Sequence, residues 1–360
     1  MITWAKLPAG SSDGGGPGST VEVLRGLPPW RARADAWRAN AAISWGPIIS
    51  DARRLYSREV LEVVAAHVGA GVGEVADRLL GMRSQHRYLL LGTIARTRRC
   101  TVIGAVDQLL ARSVALKIPH DSDDETTWKL LAEVQAMTRV EHEHVVTVLD
   151  VGDHEGRLYA ALELCDANLD AWSVGQRWAV VLDRIIEAGR GLAAVHAAGL
   201  VHGDIKPENV LLKDGAAKLG DFGMAARPGW STRIGGTAGY IAPEVADGHQ
   251  GAAGDVFALA CTAWFCLTGE RPFGEPPVTA SSSAAALVLI ERAREGEVQV
   301  PDADVPRAVL AALRGGLDPD PVRRSSLAVL LEQLGRLRSA GTLARWVWSK
   351  RLGTLARGSA

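Results

Sequence analysis

The chain has almost no charge of either sign to spare. Its 40 Lys and Arg stand against 41 Asp and Glu, a net charge of −1 over 360 residues. That balance removes the global case for nucleic acid or an anionic membrane surface as a partner. Cysteine is scarce too: there are four, Cys100, Cys165, Cys261 and Cys266. They form no C-x-x-C pair and no metal-ligand spacing, so they read as buried or free thiols in a reducing compartment. No stretch reaches about 18 uninterrupted apolar residues, so no membrane span is expected. The nearest approach, "VFALACTAWFCLTG", is too short and reads as a buried core helix. The N-terminal "MITWAKLPAG" has no basic segment followed by an apolar core, so no signal peptide is expected. These absences point to a cytoplasmic protein.

One absence is local. The chain has 39 glycines, yet none falls between Gly92 and Gly104, where the sequence reads "TIARTRRCTVI". Arginine and threonine occupy a place between two apolar runs where turn chemistry is expected.

What is present is ordinary for a packed protein: 47% apolar and 22% charged residues. The length suits one large domain with a smaller one. Residues 1–27 include the Gly/Ser/Pro-rich "PAGSSDGGGPGST" and read as a flexible linker. Residues 28–86 read as a helical module, opened by Pro28 and Pro29, with Trp30, Trp37 and Ala41 on one face. Four of the 11 tryptophans, Trp4, Trp30, Trp37 and Trp45, lie in this N-terminal part. They either pack a small core or form a partner-binding surface. No recognition helix follows, so DNA binding is not expected.

From Arg87 the pattern changes. "RYLLLGTI", "CTVIGAVD" and "SVALKIP" read as three short strands. "DDETTWKLLAEVQAMTRV" reads as a helix, and "HVVTVLDVGDHEGRLYAALEL" as a hairpin. Beyond Ala171 the chain is mostly helical. The fold class is therefore α+β, a small β-rich lobe over 87–163 and a larger α-helical lobe over 166–337. The tail, 338–360, is basic and carries Trp346 and Trp348. Its apolar residues do not gather on one helical face, so it reads as solvated or protein-docked rather than membrane-bound.

The chemistry concentrates in "LVHGDIKPENVLLKDGAAKLGDFGMA", residues 200–225. Asp204, Lys206, Asn209 and Asp221 fall in one short strand–loop–strand stretch. Two acids and an amide so close together suit a hard cation such as Mg²⁺ together with a general base.

On these motifs the chain resembles the eukaryotic-like protein kinase family, in particular the bacterial (Hanks-type) serine/threonine kinases, over about residues 87–337. The resemblance implies a bilobal protein kinase fold with a helical N-terminal extension. It also implies ATP- and Mg²⁺-dependent transfer of the γ-phosphate to protein hydroxyls, with Mn²⁺ as a substitute metal. In "VALK", Lys117 then holds the α- and β-phosphates, and Glu133 is the acid that pairs with it. "EHEHVVTVLD" corresponds to the family's H-P-N-I-V stretch. Leu162 takes the gatekeeper position, and Glu163, Leu164 and Cys165 form the adenine hinge. Val102, Ala115 and Leu211 complete the ATP-binding set. In "HGDIKPEN", Asp204 is the catalytic base, Lys206 the γ-phosphate contact and Asn209 a metal ligand. Asp221 of "DFG" is the second metal ligand. In "GTAGYIAPE", Thr237 contacts the catalytic loop, and Glu244 pairs with Arg324 of "DPDPVRRSS". Asp255 opens the long central helix and anchors the catalytic loop.

Two departures stand out. The family's G-x-G-x-x-G-x-V loop, set in register by Val102 and Lys117, places its glycines at Ala95, Thr97 and Cys100, and all three are missing. Glycine there allows close backbone approach to phosphate. Thr97 and Cys100 are expected to put side chains in that space. Arg96, Arg98 and Arg99 either compensate by contacting phosphate or are solvent-facing residues on a hairpin tip. The second departure is Gly203, where many kinases have an arginine that pairs with an activation-segment phosphate. Ser231 and Thr232 are then candidate phosphorylation sites on which activity depends less. A kinase-like scaffold with weak catalysis is the alternative the lost glycines favour. Small-molecule phosphotransferases share "HGD" but lack the lysine, D-F-G and G-T-x-G-Y-x-A-P-E elements that this chain has. The substrate protein and any partner of the helical module are not specified by the sequence.

Overall fold

The computed structural model describes residues 87–97, 99–121, 123–154, 157–230, 235–276 and 282–340. The linker over 1–27, the helical module over 28–86, most of the tail, Arg98, Ser231 and Thr232 lie outside them. The described residues fall into two units. One holds 87–128 and 148–164, the other 129–147 and 165–340.

The first unit is a five-stranded antiparallel sheet. β1 (Tyr88–Arg96), β2 (Cys100–Asp107), β3 (Arg112–Pro119), β4 (Val148–His154) and β5 (Arg157–Glu163) lie in the order β1-β2-β3-β5-β4. The two-residue side-chain period sorts its residues onto two faces. Ala115 packs with Ile94 and Leu164, beside Leu91, Val102 and Leu162. Its neighbours Val114 and Leu116 pack instead with Ala105 and Ala161, beside Tyr88 and Tyr159. The register sets Val102 opposite Lys117, and Lys117 opposite Ala160. At the far end of β2, fully buried Asp107 accepts hydrogen bonds from Arg87 Nε at 3.2 Å and Nη2 at 2.9 Å. It also accepts from the amides of Leu109 and Leu110 in the β2–β3 turn. A buried carboxylate is stable there because the Arg87 guanidinium and two backbone amides donate to it.

Helix α1 (Asp124–Thr138) follows β3 and buries Leu130, Glu133, Val134, Ala136 and Met137. From Lys129 onward it groups with the second unit, as does the chain to Thr147, although the sequence places 129–147 within the small lobe. The reason lies in the backbone. His144 O and Leu219 N are 2.9 Å apart, and Val146 N donates to Leu219 O at 2.8 Å. Gly191 gives the His144 carbonyl its room, since a Cβ at that position would overlap it.

The rest of the second unit runs through β6 (Ala167–Asn168), α2 (Leu169–Ser173) and α3 (Trp178–Ala197). A 3₁₀ turn (Pro207–Asn209) leads into the hairpin β7 (Val210–Lys213) and β8 (Ala216–Leu219). Then come β9 (Gly229–Trp230), α4 (Pro243–Ala246), β10 (His249–Gln250), α5 (Ala252–Thr268), α6 (Ser282–Glu295) and α7 (Arg307–Gly316). Asn168 caps α2, its Oδ1 accepting from Ala171 N at 2.9 Å. Helix α5 is apolar nearly all round and is buried accordingly, with Trp264 fully enclosed. Gly269, at φ +78°, ends it. No helix among the described residues is long and apolar enough to cross a membrane.

Candidate active site

Asp255 sits in the first turn of α5 and is 3% exposed. Its carboxylate accepts the backbone N–H of His202 and of Gly203, each at 2.8 Å, and lies 2.8 Å from His196 Nε2. Charge-assisted bonds to two consecutive amides hold the loop rigidly to the helix. His202 is itself fully buried, with Nε2 3.1 Å from Gly220 O and its ring 4.8 Å from that of Phe222. The loop is thus pinned from α5, from α3 through His196 and from the β8–Phe222 side. Sequence reasoning did not single out His196 or His202. The histidine of "HGD" was the available signal for the second; a lone histidine near the end of a helix gave none for the first.

This pinned loop presents Asp204. Lys206 Nζ donates to Asp204 Oδ2 at 2.8 Å and to Thr237 Oγ1 at 2.8 Å. Thr237 Oγ1 donates in turn to Asp204 Oδ1 at 2.8 Å. The three side chains form a closed triangle in which the lysine charge sits against the carboxylate. Asn209 Nδ2 donates to Asp204 O at 2.8 Å and Oδ2 at 3.1 Å. With its nitrogen committed to Asp204, the amide offers its oxygen in the other direction.

Asp221 adopts a left-handed backbone, φ +58°, a conformation that Asp tolerates better than most residues. Phe222 beside it is 1% exposed. A Cβ built on Gly223 would stand 3.3 Å from Asp221 Oδ1 and 3.8 Å from Glu133 Oε2. Gly223 therefore lies close to two carboxylates of the second unit, and Glu133 is 7% exposed. The amide oxygen of Asn209 and the carboxylate of Asp221 are hard oxygen donors, the set that suits Mg²⁺.

In the first unit, Lys117 is half-buried on β3, and Ala115 is buried in the same strand. Glu163 is buried at the end of β5, and Cys165 is half-buried just beyond. Leu211 lies on β7 of the second unit, against Gly220. The β1–β2 turn carries Thr97 and leads into Cys100. Cys100, the first residue of β2, is buried, 8% exposed. Thr97 folds onto its own turn: its Oγ1 accepts from Cys100 N at 3.0 Å and Arg99 N at 3.3 Å, and donates to Cys100 O at 3.1 Å. Arg96 and Arg99 are exposed.

The described residues between Gly223 and Glu244 are tied down at several points. Val201 and Ala226 form an antiparallel bridge. β9 pairs with β10, and the exposed Trp230 meets the His249 ring edge-on at 4.6 Å. Glu244 receives both Nη atoms of Arg324, at 2.5 and 2.9 Å. A pocket opens beside Asp204, lined by Ile205, Gly236, Thr237, Ile241 and Gln250 among others.

The site thus brings Asp204, Lys206, Asn209 and Thr237 together, sets Asp221 and Glu133 near Gly223, and joins Glu244 to Arg324. Residues 91–334 match the protein kinase domain family model, about two thirds of the chain. The chain is 33% identical over 247 residues to the serine/threonine-protein kinase PknL of Mycobacterium tuberculosis, covering 65% of this chain and 58% of PknL. It is 33% identical over 265 residues to PknA of the same organism, covering 68% and 59%. A probable serine/threonine-protein kinase, pknA2 of Bifidobacterium longum, is 33% identical over 215 residues, covering 54% and 28%. The chain therefore spans less than two thirds of the length of each of these relatives. On the extent of the domain match, the chain belongs to the protein kinase family.

Proposed function

We propose that the chain is a serine/threonine protein kinase that transfers the γ-phosphate of ATP to protein hydroxyls in the cytoplasm. The observation that carries this reading is the closed contact of Asp204, Lys206 and Thr237, with Asn209 on the same carboxylate. Phosphoryl transfer needs little covalent help; it needs in-line positioning and neutralised charge. Asp204 orients the acceptor hydroxyl and takes its proton. Lys206, held between Asp204 and Thr237, is placed to meet the transferring phosphoryl group. Lys117 and Glu133 are the lysine and acid of the phosphate grip. Glu163, Cys165, Val102, Ala115 and Leu211 are the adenine-side contacts. Asn209 and Asp221 hold Mg²⁺, which when bound neutralises phosphate charge.

The kinase names of the relatives support the same reading and weigh against the scaffold alternative. The test is transfer of label from γ-labelled ATP to protein in the presence of Mg²⁺, followed by acid hydrolysis to phosphoamino acids. Labelled phosphoserine or phosphothreonine is expected, and none with Lys117→Ala. Absence of labelled protein with the wild-type chain would overturn the reading.

A further inference from the structure

The turn between β1 and β2 has its own hydrogen-bond economy. A phosphate-binding loop works by leaving backbone N–H groups unpartnered at its tip, aimed at the ligand. Here the Thr97 amide donates to Cys100 O at 2.9 Å. The amides of Arg99 and Cys100 both donate to Thr97 Oγ1, at 3.3 and 3.0 Å. The hydroxyl proton goes to Cys100 O at 3.1 Å. One side chain therefore accepts twice and donates once, which is the full capacity of a hydroxyl. It holds two tip amides, and the backbone pair holds a third.

We propose that Thr97 is a specificity-determining residue: its hydroxyl occupies tip amides in place of a phosphate, so the amides of Thr97, Arg99 and Cys100 add no hydrogen bonds to a bound triphosphate. The inference rests on the ATP-dependent reading above. Among its described residues the hairpin then contributes to nucleoside binding through apolar side chains such as Val102, and these discriminate poorly between adenosine and ATP. The three missing glycines and the cap belong together. Glycine at 97 would have no hydroxyl to fold back, and threonine there converts an open tip into a closed one. The exposed Arg96 and Arg99 do not reopen it, because the bonds in question are those of the backbone.

The test uses the 360-residue chain and its Thr97→Val, Thr97→Gly and Thr97→Ser variants. Affinities for ATP and for adenosine are measured by calorimetry, and amide exchange at residues 99 and 100 by NMR. Thr97→Val removes the hydroxyl and keeps the shape, Thr97→Gly restores the open loop, and Thr97→Ser retains the cap. The ratio of ATP to adenosine affinity is expected to rise about tenfold in Thr97→Val and Thr97→Gly, with adenosine affinity unchanged, and to stay at the wild-type value in Thr97→Ser. Amide exchange at 99 and 100 is expected to be about tenfold faster in Thr97→Val than in Thr97→Ser. An unchanged affinity ratio in Thr97→Val, or equal exchange in the two variants, would overturn the proposal. If no variant binds either ligand, the ATP reading falls and this inference with it; the exchange rates would still show whether the cap exists.

Discussion

Arg324 lies against Glu244 with Nη1 2.5 Å from Oε1 and Nη2 2.9 Å from Oε2, across 80 residues of sequence. The remaining guanidinium protons go to the carbonyls of Asp318, Ala253 and Pro319, so all five are used. The arginine side chain is fully buried and its charge sits over the Phe257 ring at 5.0 Å. This pair fastens the end of the segment that carries Thr237 to the base of α5.

Removing one partner of such a pair leaves the other buried without compensation. Arg324→Ala is expected to lower unfolding stability by about 3–5 kcal/mol. Arg324→Lys should recover only a small part, because an ammonium cannot supply the planar fork. Denaturant unfolding of the two variants and of Glu244→Ala checks this. Full stability in Arg324→Ala would contradict it.

Asp255 holds the loop through two amides and not through the reactants. Asp255→Asn keeps the shape and replaces a charged acceptor by a neutral one. kcat is expected to fall about 10- to 100-fold while the Kd for ATP stays at its wild-type value. Steady-state rates and calorimetric ATP binding separate the two effects; equal loss in both would show that Asp255 only supports folding.

Gly203 carries φ +78°, and a Cβ there would come 2.9 Å from Met224 O. Glycine is thus required by the local backbone as well as being a departure from the family's arginine. Gly203→Ala is expected to cost about 1–2 kcal/mol, read as a lower Tm. With no arginine at 203, alanine at Ser231 and Thr232 is expected to leave the transfer rate within about twofold of wild type. Abolished activity in that double variant would contradict the expectation.

Burial pushes the Cys266 thiol from 9.0 up to about 12, against a smaller downward pull from its hydrogen bond with Ser173. Cys261 is also pushed up by burial. A raised thiol pKa means the folded chain holds the proton more tightly than the unfolded chain does. The stability this contributes is complete below about pH 9 and is lost as pH rises toward 12. Unfolding midpoints measured from pH 8 to 11 should fall through that range, and Cys266→Ala should flatten the fall. At neutral pH both thiols are protonated, so alkylation of the folded chain is expected to reach Cys165 first and Cys100, Cys261 and Cys266 only on unfolding.

The candidate site was legible because the proposed chemistry needs fixed residue types at short spacing. Asp204, Lys206 and Asn209 fall within six residues, and only their shared loop explains that set. The strands were legible as short apolar, β-branched runs, as in "SVALKIP". The Glu244–Arg324 contact was legible only through the family resemblance, since no local pattern links residues so far apart. Other features carried no signal. The stretch 129–147 groups with the second unit through backbone bonds to Leu219, and backbone bonds leave no mark on residue types. β9 and β10 are two residues each, too short for periodicity. Thr97 read as an obstruction in a glycine loop; that its hydroxyl would fold back onto the Arg99 and Cys100 amides is a matter of rotamer and turn geometry.

The central claim is that Asp204 is the base of an ATP-dependent phosphoryl transfer. The direct measurement is the single-turnover rate of labelled phosphate transfer from ATP to a protein hydroxyl in wild type and Asp204→Asn, with ATP affinity measured on both. The account predicts a loss of about 100- to 10,000-fold in rate with ATP affinity unchanged. A variant that transfers phosphate at the wild-type rate would contradict it.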